Sequence, residues 1–206
     1  MSWWEEQVVP RLVEVALGSR AVGRLRASTC EGLHGRVLEL GFGSGLNLPH
    51  LPAAVTSIDA VEPSDRGWAM SADRRATASV PVSRVGLDGQ ALAAEPAAYD
   101  AVLCTFTLCT IPDPALAVAE VVRVLRPGGR LHLLEHGCSP DSGVARWQRR
   151  LDPLEQRLAG GCHLTRDPLA LVRDGGMDVL EQEQRYLPGP RVMRPWGYGY
   201  RVLATA

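Results

Sequence analysis

The feature that most constrains this chain is the run Val37-Leu38-Glu39-Leu40-Gly41-Phe42-Gly43-Ser44-Gly45-Leu46-Asn47. A short apolar stretch enters a turn in which every second residue is glycine. Glycine permits positive φ and leaves bare backbone against which a ligand can lie, and a helix expected after the turn would offer unpaired N–H groups. Such a turn belongs to an open α/β sheet, whose ligands sit at the carboxyl ends of the strands. The spacing narrows the ligand. A dinucleotide fingerprint is G-x-G-x-x-G, and its third glycine would stand where this chain has Leu46. Here the pattern is E-x-G-x-G-x-G, and the carboxylate of Glu39 would repel a pyrophosphate. A ligand carrying an ammonium and a carboxylate fits better. A purely structural glycine turn is the competing reading.

The rest of the chain alternates strand-like and helix-like segments, as a parallel sheet covered on both faces requires. The expected strands are Arg36–Leu40, Thr56–Val61, Val80–Gly86, Asp100–Thr105 and Arg130–Glu135, each short, apolar and bounded by Gly, Pro or charge. Helices are expected at Ser44–Leu51, Ser64–Ala78, Pro114–Leu125, Ser142–Leu158 and near Asp167–Asp174. Two more open the chain: about Trp4–Leu17, then Ser19–Thr29 with Arg20, Arg24 and Arg26 facing outward. Met177–Tyr186 and Trp196–Ala204 read as two final strands, joined by the Pro-rich loop Leu187–Pro195, which is too short for a parallel crossover.

Length suits one α/β domain over residues 1–206, with 1–32 as a helical cap and 33–206 as the core. A net charge of −1 points to neither nucleic acid nor an anionic membrane. No apolar run approaches a membrane span, and Met1-Ser2-Trp3-Trp4-Glu5-Glu6 does not open like a signal peptide, so the cytoplasm is expected. Every Lys/Arg position is arginine, which excludes a P-loop and lysine Schiff-base chemistry. The five cysteines contain no C-x-x-C pair. Cys138 with His136, and Cys162 with His163, do not match zinc spacings, so no metal is expected.

Two further segments corroborate the ligand site. The second strand ends at Val61-Glu62-Pro63, and an acidic side chain at that offset can accept hydrogen bonds from both hydroxyls of a ribose. The third ends at Leu87-Asp88-Gly89-Gln90, where a carboxylate could take an adenine amino group and the Gly89 N–H a ring nitrogen. A solvated Asp-Gly turn is equally consistent with that segment.

With Tyr99-Asp100-Ala101-Val102 and Leu125-Arg126-Pro127-Gly128-Gly129-Arg130-Leu131, these segments resemble class I S-adenosylmethionine-dependent methyltransferases over nearly the whole chain. The resemblance is closest to a branch near the ubiquinone/menaquinone-biosynthesis methyltransferases that includes animal methyltransferase-like thiol methyltransferases. It is carried there by Cys104-Thr105-Phe106-Thr107-Leu108-Cys109-Thr110, Leu134-Glu135-His136, Gly161-Cys162-His163-Leu164-Thr165-Arg166 and Arg194-Pro195…Gly199-Tyr200. It implies a Rossmann-like, seven-stranded, mostly parallel sheet with a final antiparallel strand beside the fifth. It also implies S-adenosylmethionine as cofactor. The cofactor residues expected are Glu39, Gly41, Gly43, Gly45, Asn47, Glu62, Pro63, Asp88, Gly89, Thr105 and Leu108. Two departures stand out. The animal members carry an N-terminal hydrophobic anchor where this chain has a polar start, and the alignment around Asp88 shifts with the gapping of Ala93–Ala98.

Methyl transfer from a sulfonium is an in-line displacement in which the protein mainly aligns the reactants. A base is needed only for a protonated, poorly acidic acceptor. His136, after the fifth strand, is the candidate base or acceptor-orienting group, with a histidine bonded to loop backbone as the alternative. Trp3, Trp4 and the Gly160–Thr165 loop are candidate pocket covers. Nucleic-acid acceptors fit poorly, because Thr105-Phe106-Thr107-Leu108 lacks the acidic or Asn residue, two prolines and aromatic of amino-methylating enzymes. A small, apolar acceptor is expected, most plausibly a thiol. A quinone or phenol (C- or O-methylation) and a phospholipid amine are the alternatives. A nicotinamide-dependent oxidoreductase and a non-catalytic cofactor binder are the distant ones. Neither the accepting atom nor the oligomeric state is legible.

Overall fold

A computed structural model describes residues 3–187 and 189–206, so Met1 and Ser2 of the polar start and Pro188 of the Pro-rich loop lie outside the described residues. Seven strands form one sheet: β1 (Gly35–Leu40), β2 (Val55–Val61), β3 (Val82–Gly86), β4 (Tyr99–Thr105), β5 (Leu125–His136), β6 (Asp178–Tyr186) and β7 (Tyr198–Thr205). Their order is β3-β2-β1-β4-β5-β7-β6. The first five are parallel, and β7 runs antiparallel between β5 and β6. The expected architecture and the insertion of the last strand beside the fifth are both present. Strand order reverses between β1 and β4, which opens a crevice at the carboxyl end of β1.

The central strands are buried on both faces, and their alternation divides the core in two. Val37, Ile58, Ala60, Ala101 and Leu103 face Cys30, Leu33, Phe42 and Leu48. Leu38, Leu40, Val102, Leu131 and Leu133 face Val118 and Val121 of α6 (Pro114–Val124) and Leu169 and Val172 of α8 (Pro168–Asp174). A side-chain period of two produces this division without further instruction.

Three helix expectations need correction. The stretch Ser44–Leu51 holds only a 3-10 turn, Leu48–His50. Gly45 sits at φ 77°, Pro49 and Pro52 lack donors, and β2 begins at Val55, so no α-helix can propagate. The site therefore offers loop amides rather than a helix N-terminus. The opening helix is two, α1 (Trp3–Gln7) and α2 (Val9–Leu17), because Pro10 restarts the helix at its first turn. The Ser64–Ala78 stretch is likewise α4 (Asp65–Met70) and α5 (Ala72–Ala76), broken at Ser71, whose hydroxyl donates to Trp68 O at 2.6 Å. Helix α3 (Arg20–Cys30) and α7 (Ser142–Leu158) are where expected. Most strand ends agree within two residues, while β5 begins five residues earlier, at Leu125.

Candidate functional site

A cavity of about 670 Å³ lies over the carboxyl ends of β1 to β4. Gly41, Phe42, Gly43 and Ser44 form its floor after β1, Glu62 and Pro63 border it after β2, and Asp88 and Gly89 after β3. Thr105 to Thr107 line it after β4, and Val9, Val13 and Leu17 of α2 close it from above. Of the eleven residues expected around a cofactor, seven line this cavity: Gly41, Gly43, Glu62, Pro63, Asp88, Gly89 and Thr105.

The glycines have separate jobs. Gly41 has φ 73°, and a Cβ there would lie 1.9 Å from Thr107 Oγ1, so only glycine lets the loop after β4 approach. At Gly43 a Cβ would meet nothing within 4 Å, which leaves bare backbone facing the cavity. Gly45 is not in the lining; its Cβ would press on Phe42, Leu48 and Ser71, so it serves packing. Glu62 ties the loop to β2. Its Oε2 accepts from Gly43 N at 2.6 Å and its Oε1 from Ser64 N at 2.7 Å. Burial pushes the Glu62 carboxyl above its ordinary range, against the pull of these two amides.

Glu39 and Asn47 do not line the cavity; they lie beneath it, at 0% and 1% exposure. Asn47 Nδ2 donates to Glu39 Oε1 at 2.8 Å and to Thr105 Oγ1 at 2.9 Å. Arg26 Nη1 donates to Asn47 Oδ1 and to Thr105 Oγ1, each at 2.8 Å, and Arg26 itself reaches the cavity. Burial drives the Glu39 carboxyl up to about 7, with Asn47 and Arg26 opposing it. Arg26 thus corrects the outward-facing expectation: it is 4% exposed. Its position was legible, since Val22, Arg26, Thr29 and Cys30 share the buried stripe of α3 at helical spacing. Glu14 was also missed. Its carboxylate pairs with Arg74 Nη2 at 2.6 Å and accepts from the Ser44 hydroxyl, which latches α2 onto the glycine loop.

Asp88 is exposed, and its Oδ1 caps its own turn by accepting from Gln90 N at 2.8 Å. Leu108 is turned into the core, and its amide donates to Glu135 Oε1 at 2.8 Å. The same carboxylate accepts from Thr107 N, so Glu135 pins the loop after β4 from behind. His136 is buried outside the cavity lining, with Nε2 3.1 Å from Cys162 Sγ. The neighbouring Cys109 thiol and His136 hold the Cys162 thiol below its ordinary range, against the opposing pull of burial. Trp3 is exposed and Trp4 Nε1 donates to Leu158 O at 2.8 Å; neither lines the cavity. Of the Gly160–Thr165 loop only Gly160 does, beside Ala159.

A family described as methyltransferase domain matches residues 38–133. Thiol S-methyltransferase TMT1B of Rattus norvegicus is 32% identical over 168 residues, which cover 76% of this chain and 68% of that protein. Phosphatidylethanolamine N-methyltransferase of Cereibacter sphaeroides is 29% identical over 175 residues, 80% of each chain. Among solved structures, a SAM-dependent methyltransferase from Thermotoga maritima, described as a possible histamine N-methyltransferase, superposes with a TM-score of 0.68. It is 20% identical, with 98% of this chain and 97% of that one covered. Fold and cavity define an α/β enzyme of the methyltransferase class. The chain belongs to the class I S-adenosylmethionine-dependent methyltransferases, and S-adenosylmethionine is its cofactor.

Proposed function

We propose that the chain, with its helical cap and core acting as one unit, methylates a small, largely apolar thiol. The observation that carries this reading is the chemistry of the cavity wall. Among the described residues its ionisable lining groups are Arg26, Glu62 and Asp88. Arg26 is no base, and Glu62 and Asp88 follow β2 and β3, across the glycine loop from the segment after β4. On the side formed by α2 and the segment after β4 the wall is largely apolar (Val9, Val13, Leu17, Phe106, Ile111, Pro112), with the Thr107 and Thr110 hydroxyls donating to backbone. A side of the wall that carries no base suits an acceptor that ionises unaided. A thiol with pKa about 8.5 is a few per cent thiolate at neutral pH, whereas a phenol near ~10 or an amine near ~10.4 is ionised or unprotonated far less. The thiol methyltransferase relatives support the same choice. The free cysteines and the absence of a membrane-length apolar helix among the described residues are compatible with work in the cytoplasm.

S-Adenosylmethionine supplies the electrophilic methyl group. The bare Gly43 backbone fits a ligand pressed flat on the loop, Glu62 keeps lone pairs for a ribose diol, and Asp88 with Gly89 borders the adenine end. Among the described residues Arg26 is the one cation on the wall, and it suits the methionyl carboxylate. Helix α2, latched by Glu14, covers the reacting atoms and excludes water.

Glu62→Ala should weaken S-adenosylhomocysteine binding roughly ten- to a hundredfold by calorimetry, since a charge-assisted hydrogen bond is worth about 1.5–3 kcal/mol. Unchanged affinity in a folded variant would remove Glu62 from the site. For the acceptor, release of S-adenosylhomocysteine should be assayed over thiols, phenols, quinols and lipid amines. With thiols of graded acidity, kcat/KM should rise with pH and level off at each thiol's own pKa. One shared inflection for all thiols would reveal an enzyme base and overturn the argument from the wall. Turnover of amines or phenols without thiols would reassign the acceptor.

A further inference from the structure

Three side chains that the methyl transfer does not use converge behind the cavity wall. Cys109 lies in the segment after β4, His136 ends β5, and Cys162 follows α7. Their ligand atoms all lie within 4.8 Å of one another, and the three residues are 4%, 9% and 7% exposed. Among the described residues His136 has one polar anchor: Nε2 meets Cys162 Sγ at 3.1 Å, while Nδ1 is buried without a partner. The cluster is held from outside. His163 N donates to Cys109 O at 2.8 Å, which ties the two loops that supply the sulfurs together, and Asp152 Oδ1 accepts from Leu164 N at 2.6 Å, which fixes the Cys162 loop to α7.

We propose that Cys109, His136 and Cys162 bind one thiophilic divalent metal ion, zinc before others. The donor set selects the metal. Two thiolates and an imidazole suit zinc and its softer neighbours, while magnesium and calcium demand oxygen. The geometry is close to what such an ion needs. Bonds of about 2.3 Å to sulfur and about 2.0 Å to nitrogen place tetrahedral ligands roughly 3.5–3.8 Å apart, so adjustments of about 1 Å suffice. Binding releases whatever protons the two sulfurs and the imidazole still share and leaves a fourth position without one of these three donors. Sequence spacing concealed the set because its members come from three separate segments, and His136 meets Cys162 rather than its near neighbour Cys138. Cys138 Sγ instead faces the Tyr200 hydroxyl at 3.5 Å. Thr110, Ala159 and Gly160, which line the cavity, are close neighbours of the two cysteines in the chain, so the ion would brace the acceptor wall. The inference does not rest on the acceptor's identity.

The test uses the full chain, reduced and freed of metal with a chelator, then titrated with Co(II) and Zn(II) under anaerobic conditions. One equivalent of Co(II) per chain is expected, with thiolate-to-cobalt charge transfer of two-sulfur intensity and tetrahedral visible bands, all displaced by Zn(II). Cys109→Ser and Cys162→Ser should each roughly halve the charge-transfer band and weaken zinc at least about tenfold. Cys138→Ser should change neither. No thiolate band in the wild-type protein overturns the proposal, and that spectrum needs no variant to fold. So does a band that survives in the folded Cys109→Ser/Cys162→Ser double variant, or a Cys109–Cys162 disulfide with no metal uptake after reduction.

Discussion

Arg26→Met is expected to cost about 3 kcal/mol of stability, and the loss should deepen as pH rises. Methionine fills much of the same volume but cannot donate. Asn47 Oδ1 and Thr105 Oγ1 then lose their buried donor, and Glu39 loses the cation that favours its ionised form. The sign follows from Glu39. Burial raises its folded pKa to about 7, above its ordinary value of 4.5, so the native state holds this proton more tightly than the unfolded chain. Its contribution is complete below about 4.5 and is lost as pH rises through about 7. Without Arg26 the folded value climbs further and the loss continues to higher pH. Urea melts of both proteins at pH 5 and pH 8 should therefore show the larger deficit at pH 8. An equal deficit at both would mean that Arg26 does not influence Glu39.

The same residue shows where sequence reasoning reached and where it stopped. Alternation along Val37–Leu40 and Ala101–Cys104 encodes burial on both faces, so the sheet was legible from local pattern. The position of Glu62, Asp88, Gly41, Gly43 and Gly89 around the cavity was legible because strand ends in an open sheet converge on one crevice, whereas Gly45 lies outside the lining. Arg26 was misread because charge was taken as exposure, although its helical phase matched the apolar stripe. Glu39 and Asn47 were placed at the ligand, but they act one layer below, holding Thr105 and Arg26. The absent helix after the glycine loop follows from Pro49 and Pro52, whose breaking force outweighed the motif's usual continuation. Cys109, His136 and Cys162 are separated along the chain and meet only in three dimensions.

Gly41→Ala is expected to reduce S-adenosylhomocysteine affinity by about a hundredfold or more and to destabilise the fold by roughly 3 kcal/mol. Two costs add. A φ of 73° is unfavourable by about 1–2 kcal/mol for any residue with a Cβ. The new Cβ would also lie 1.9 Å from Thr107 Oγ1 and 2.7 Å from Thr107 Cβ. Thr107 cannot retreat, because its amide and that of Leu108 are both bound to the buried Glu135 carboxylate. The loop after β1 must give way instead. That motion carries Gly43 away from Glu62, whose 2.6 Å bond to the Gly43 amide sets the proposed ribose edge. A second substitution separates the two costs. Thr107→Gly removes the overlap but not the φ penalty, so the Gly41→Ala/Thr107→Gly pair should recover about half of the stability that Gly41→Ala loses, measured against Thr107→Gly alone. Recovery of none of it would assign the whole effect to backbone strain. Wild-type affinity and melting temperature in Gly41→Ala would show that the close approach of the two loops is not what shapes the cofactor site.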